Sequence, residues 1–257
     1  MSNHFHTNRA GFAALITVVW SALIIGAASQ YPYPHVFHHD VDSPVIALEL
    51  SQDAGDIDAV LHRAGKQKEA AAASMTNVNR LDLIFIPLYA FSIWTLARAF
   101  TTRTRLLTVG ILATMLFDYL EDWQIFRAIG GANPPIYIPS LIKWGLLGLV
   151  FVGLSLILLA SSSPVYTLST KRLLAIGYLV SGVLILVDVA IGGSIGYSHI
   201  ELAVTIFSLL LVVNVVGFLG HYLAMRPMMQ TYVEDFCKVR GKAGAGSMKA
   251  VTGQRAG

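Results

Sequence analysis

Six long apolar runs, separated by polar stretches, decide what this chain can fold into. A helix rises about 1.5 Å per residue, so about 20 residues cross the ~30 Å hydrocarbon core of a bilayer. The chain is 55% hydrophobic and only 13% charged, with a mean hydropathy of +0.63, which is too apolar for an ordinary soluble domain. We therefore expect an all-α fold, that of a polytopic integral membrane protein. Its six-helix transmembrane bundle should use residues 11–29, 81–100, 106–123, 139–160, 173–193 and 200–225.

The polar residues divide the chain into an N-terminal arm, one membrane domain and a tail. Residues 1–10 form the arm and residues 11–225 the membrane domain, while the basic tail, 226–257, ends in residues too polar to fold. The one long polar segment inside the membrane domain is 30–80, which we expect to fold over the outer mouth of the bundle as a lid. For span one a cleaved signal peptide is the alternative, because a basic residue precedes it and small residues end it.

The segment 30–80 carries helical signals of its own. Ile57, Val60 and Leu61 recur at helical spacing, and Gly65 stands where a C-cap glycine would fall, so we expect a short amphipathic helix ending there. The alanine-rich stretch KQKEAAAASM that follows has high helix propensity, which favours a helix running on into span two.

The positions of Lys and Arg indicate how the bundle lies in the membrane. With the N-terminus in the cytoplasm, the inner segments hold twelve of the 18 basic residues, as the positive-inside rule favours. We therefore expect a protein of the plasma (inner) membrane with both termini in the cytoplasm.

Because the basic residues flank apolar runs, the expected partner is the lipid bilayer and not nucleic acid. The single cysteine, Cys237, excludes an intrachain disulfide, and the oligomeric state stays open.

The stretch LFDYLEDWQIFR carries the most informative chemistry. Asp118, Glu121 and Asp122 stand at i, i+3 and i+4, on one face of a helix at the end of an apolar run. Three carboxylates so placed repel one another, and they need a cation, a bound proton or open water. The predicted orientation brings further charged residues to the same outer side, namely Asp82, Lys143, Asp188 and Glu201. We predict that Asp118 and Glu121 carry the chemistry and that Asp82, Asp122, Lys143 and Asp188 help to bind a ligand. Ion pairing or snorkelling to the interface is the alternative for Asp82 and Lys143.

Three histidines follow span one on this outer side. His35, His38 and His39 provide ligands suited to zinc or copper at short spacing, so a divalent metal is a candidate cofactor. The alternative is an ordinary solvated loop, because no second pair of ligands accompanies them.

These residues leave three functions open. The first is a binding or transport role, in which an outward-facing pocket holds a cation, a proton or a small polar ligand. The second is a membrane-embedded enzyme acting on a lipid or other hydrophobic substrate, with Asp118 or Glu121 as general acid or base, alone or beside a metal. The third is a structural or accessory subunit in which the charges only fix helix packing. The inner halves of the spans hold few polar residues, which counts against full translocation.

Overall fold

The computed structural model describes residues 2–32, 41–62, 67–161, 166–195, 197–220 and 223, and within them every regular element is an α-helix. The helices are α1 (Ser2–Ala28), α2 (Pro44–Glu49), α3 (Ala54–Leu61), α4 (Lys68–Phe100), α5 (Arg105–Ile129), α6 (Tyr137–Ala160), α7 (Leu168–Ile195) and α8 (Ser198–Gly220). They belong to one compact unit, Met1–Phe218, apart from the last two residues of α8. Of the second unit, Leu219–Gly257, the described residues are 219, 220 and 223, so the predicted tail lies outside the described residues.

Five of the described helices, α1, α4, α6, α7 and α8, are long and apolar enough to cross a membrane. The chain is therefore a helical membrane protein, as its composition predicted. The remaining predicted span, 106–123, lies within α5, which is 25 residues long but carries three carboxylates.

The outward face of α5 is apolar although its inner face is charged. Asp118, Glu121 and Asp122 are buried among the other helices. The exposed side chains recur every three or four residues on the opposite face and include Leu106, Val109, Leu112, Leu116, Tyr119, Leu120 and Trp123. The apolar face of α5 therefore points out of the bundle, and its charged face points into it.

Several helices extend beyond the predicted spans, α1 and α7 among them, and the structure gives the reason for α4 and α5. α4 begins at Lys68 because the alanine-rich stretch joins it without a break, as its helix propensity predicted. α5 continues to Ile129 because its inner face still packs through Ile125 and Ala128, and it ends where Gly131 adopts a φ of +96°. A positive φ of this size favours glycine.

The long helices pack side by side in the bundle, α1 on α4, α4 on α5, α5 on α6 and α6 on α7. α6 and α7 come close enough that a Cβ added at Gly182 would lie 2.7 Å from the carbonyl oxygen of Gly148. Small residues permit such close approach of membrane helices. α8 packs on α7, where Leu210 fills the space beside Gly177.

Residues 41–62 form a compact element that we call the cap. It consists of α2, which begins after the N-cap Ser43, and α3, which begins after the N-cap Asp53. Its apolar residues are buried, including Val41, Ala47, Leu48, Leu50 and Ile57. The cap is attached to α8 because Oε1 of Glu201 accepts hydrogen bonds from the backbone N–H groups of residues 42 and 43, at 3.0 and 2.5 Å.

The predicted amphipathic helix is present as α3, but its end is not where the sequence predicted. The helix ends at Leu61, and His62, with a φ of +48°, takes the left-handed conformation expected of a C-cap glycine. Gly65 lies outside the described residues. Burial lowers the pKa of the His62 imidazole.

Candidate functional site

Lys143 lies at the centre of a buried group of carboxylates. Its Nζ is 2.6 Å from Oε2 of Glu121, 2.9 Å from Oε2 of Glu49 and 3.2 Å from Oδ1 of Asp118. The four side chains are between 2% and 8% exposed. We call Lys143, Glu49, Asp118 and Glu121 the lysine cluster. Its members come from α2, α5 and α6, so it forms only when the cap is packed on the bundle.

Local sequence explains how each element presents its charge. Asp118 and Glu121 are one turn apart on the inner face of α5, and Lys143 enters from the second turn of α6, after the short connection 130–136. Glu49 is the last residue of α2, whose apolar residues are buried and hold it against the bundle.

Two aromatic side chains also donate hydrogen bonds to these carboxylates. The indole Nε1 of Trp144 donates to Oε2 of Glu49 at 3.1 Å, and the hydroxyl of Tyr89 on α4 donates to the carboxylate of Asp118. Buried carboxylates need such donors, because each oxygen left without a partner costs free energy. Oε1 of Glu121 has no hydrogen-bond partner among the described residues.

Asp82 and Asp122 lie beside the lysine cluster on the seam between α4 and α5. Asp82 is partly buried, and the charges of Asp118 and Lys143 act on it. Asp122 is 2% exposed, and its Oδ2 has no hydrogen-bond partner in the described part of the chain. Its backbone carbonyl accepts a hydrogen bond of 3.1 Å from Nδ2 of Asn79.

The charge of this region is unbalanced. Five carboxyl groups, those of Glu49, Asp82, Asp118, Glu121 and Asp122, stand near a single ammonium group. Full ionisation would leave an excess of four negative charges in a largely buried place, which is very unfavourable in a low-dielectric interior. The arrangement can therefore hold protons or a further cation.

Asp188 lies at a different place and has partners of its own. Its buried carboxylate accepts the backbone N–H of Ile200 at 2.7 Å and contacts Nδ1 of His199 at 2.7 Å. A carboxylate so placed caps the first turn of α8 and meets the positive end of its dipole. Nearby, Tyr197 shares a hydrogen bond of 2.6 Å with Tyr137. Burial and this hydrogen bond raise the pKa of the Tyr197 phenol.

The structure thus brings together five of the six charged residues predicted for the site, Asp82, Asp118, Glu121, Asp122 and Lys143, and leaves Asp188 outside the group. The predicted metal ligands His35, His38 and His39 lie outside the described residues. Within the residues that are described, no three His, Cys, Asp or Glu side chains are arranged to hold a metal ion.

Sequence reasoning missed Glu49, Tyr89 and Trp144. Glu49 belongs to a polar segment in which the other described Asp and Glu side chains are exposed or partly exposed, and only the stretch PVIALEL marks it as a lone carboxylate between apolar residues. The sequence gives Trp144 the position of an interfacial anchor near the start of a span, and it gives Tyr89 that of an ordinary residue within one. All three residues are identified only by knowing which helices pack together, and local sequence patterns do not give that information.

The chain matches no known protein family, no curated protein and no solved structure.

Replacing Lys143 with methionine should destabilise the protein by about 3 to 5 kcal/mol, because it leaves buried carboxylates without their cation. The loss should be greater at alkaline pH, where more of the carboxyl groups ionise, than at acid pH. Adding Asp118→Asn should recover only part of the loss, since Glu49 and Glu121 remain. Thermal unfolding in detergent measures these changes.

The matched control is Lys68→Met, an exposed lysine at the start of α4, which should change the stability by no more than about 0.5 kcal/mol. Equal melting temperatures for Lys143→Met and the wild type across the pH range would show that no buried ion-pair network exists.

Proposed function

We propose that the protein is a six-span integral membrane protein that binds protons from the outer side at the lysine cluster and its adjacent carboxyl groups. The observation that carries the proposal is the ratio of five carboxyl groups to one ammonium group in a largely buried place. Protons are the smallest cations that can neutralise the excess, and carboxyl groups bind them without a change in packing.

A proton is favoured over a larger ligand for two reasons. The ammonium of Lys143 already occupies the space between the three carboxylates, as a cation supplied by the chain itself. The described acidic residues also offer no three-ligand arrangement for a metal ion. A small metal cation remains as the alternative, and infrared spectra recorded with added metal salts distinguish it from a proton.

The apolar outward face of α5 supports its role as the sixth span. A charged side chain facing lipid at the bilayer centre costs roughly 2.5 to 3.5 kcal/mol on insertion scales. α5 avoids this cost because its carboxylates turn inward onto Lys143, while side chains such as Leu112 and Leu116 face outward. A six-span bundle places both termini on the same side of the membrane. The distribution of Lys and Arg favours the cytoplasmic side of the plasma (inner) membrane for both of them.

The distribution of charge favours exchange of protons with one side only. The buried charged residues of the described part of the chain lie in the cap, in the second half of α5, at the start of α6 and near the end of α7. In the proposed orientation all of these positions are outer. The other half of the bundle buries neutral groups instead, such as Thr17, Ser92 and Ser155.

Infrared difference spectra of the purified protein between acid and alkaline pH test the proposal. The wild type should show the C=O stretching band of protonated, buried carboxyl groups, and Asp118→Asn or Glu121→Gln should remove part of it. Asp58→Asn removes an exposed carboxyl group of α3 and should leave the buried band unchanged.

Two results would contradict proton binding. If neither cluster variant alters the buried band, the cluster is a permanently ionised packing device, as the accessory-subunit hypothesis requires. If sodium, potassium, magnesium or calcium at constant pH abolishes the band, the bound cation is a metal ion.

Labelling of Cys237 with an impermeant thiol reagent tests the orientation. In intact cells Cys237 should be protected, because the proposed topology places the tail in the cytoplasm. Ala59→Cys, an exposed position on α3, should react. Reaction of Cys237 from outside, with Ala59→Cys protected, would place the lysine cluster on the cytoplasmic side.

A further inference from the structure

The inner end of the bundle, opposite the lysine cluster, carries cations that have no acidic partner in the described part of the chain. They lie in and beside the connection between α4 and α5 and at the start of α7. We call them the inner basic surface: Arg98, Arg103, Arg105, Lys171 and Arg172. No Asp or Glu stands in these segments, and none of the five side chains makes an ion pair with a described residue.

Hydrogen bonds join the two parts of this surface. Nη1 of Arg98 donates to the carbonyl oxygen of Thr102 at 2.9 Å, which holds the arginine against the α4–α5 connection. Nζ of Lys171 donates to the carbonyl oxygen of Ser161, the C-cap of α6. Oγ of Ser161 donates in turn to the carbonyl oxygen of Phe100, the last residue of α4, at 3.3 Å. The cations of the two connections therefore lie on either side of one contact.

The fold itself does not explain Arg103 and Arg105. Both are exposed, and they flank Thr104, the N-cap of α5, whose side chain makes no capping hydrogen bond. The N-terminus of a helix is the positive end of its dipole, so cations there are repelled. Arg98 also keeps a donor without an acceptor among the described residues, its Nε. An anion bound beside these arginines would offset the repulsion and accept charge-assisted hydrogen bonds from the guanidinium groups.

Apolar side chains beside the cations indicate that this anion is a lipid. Leu106, directly after Arg105, is 90% exposed. Leu168 and Leu173, on either side of the cations at the start of α7, are 57% and 54% exposed. On a membrane helix such leucines face the acyl chains, so the adjacent cations lie at the level of the headgroups. An amphiphile with a phosphate and acyl chains matches both features, whereas a soluble acidic protein would match the cations alone.

The composition of the tail makes it a poor partner for the inner basic surface. Residues 226–257 contain six basic and only two acidic residues. Because like charges repel, the tail adds to the positive charge of the inner side and does not neutralise it.

We propose that the inner basic surface binds the phosphate group of an anionic phospholipid whose acyl chains lie against the exposed leucines. Arg98, Arg103 and Arg105 donate hydrogen bonds to the phosphate oxygens, which the planar fork of a guanidinium group matches in pairs. Lys171 and Arg172 add positive charge from the start of α7. The proposal does not depend on proton binding by the lysine cluster.

Native mass spectrometry of the purified protein in detergent, with equal concentrations of phosphatidylglycerol and phosphatidylcholine, tests the site. The wild type should retain phosphatidylglycerol in preference. Arg103→Gln/Arg105→Gln should weaken its binding roughly 30-fold and Arg172→Gln about fivefold, because each cation near an anionic lipid contributes about fivefold in affinity. The melting temperature of the double variant should not fall, since both side chains are exposed.

The matched control is Lys68→Gln/Arg127→Gln, which removes two exposed cations from the outer end of the bundle and should leave the binding unchanged. Equal losses in the two double variants would show a general attraction of charges and no site. Displacement of the lipid by inorganic phosphate at the same concentration would show that phosphate alone is recognised. A wild type that binds polyglutamate without preferring phosphatidylglycerol would assign the surface to an acidic protein. Each of these three results would overturn the proposal.

Discussion

The ammonium group of Lys143 is the interaction on which the rest of this structure depends. It is the only buried Lys or Arg side chain among the described residues, and it contacts carboxylates from two other helices. Without this cation, Asp118 and Glu121 would repel each other on the inner face of α5. Burial of Glu49 would then place a further carboxylate in the bundle without an ion-pair partner. A single cation thereby sets the rotation of α5, whose apolar face turns outward as a result.

The cap follows from the same interaction. Six residues of α2 are too few to form a stable helix alone, and α2 exists because its apolar residues and Glu49 are buried against the long helices. Its start is held by Glu201 of α8 and its end by Lys143 and Trp144 of α6. The cap therefore depends on both sides of the bundle, and a change of charge in the lysine cluster acts directly on its attachment.

Sequence and structure agree where short-range chemistry decides the outcome. Apolar runs predict the helices, and the spacing of Asp118 and Glu121 predicts that they share a face, because both patterns depend on residues close in the chain. Glu49 meets Lys143 across 94 positions, and no local pattern predicts such a contact. Asp188 is the opposite case. Its charge and its position near a helix end predict a ligand-binding role, but in the structure its partners are the first residues of α8. Long-range packing decides the first case, and the contact of α7 with the start of the next helix decides the second.

The most direct test of this account is a double-mutant cycle between Glu49 and Lys143. Unfolding free energies are measured for the wild type, Glu49→Gln, Lys143→Met and the double variant. A direct buried contact predicts a coupling energy of about 1 to 3 kcal/mol, because the loss of either partner removes the same interaction. Additive effects, agreeing within about 0.5 kcal/mol, would show that Glu49 and Lys143 do not interact and that the cap is not held by the lysine cluster.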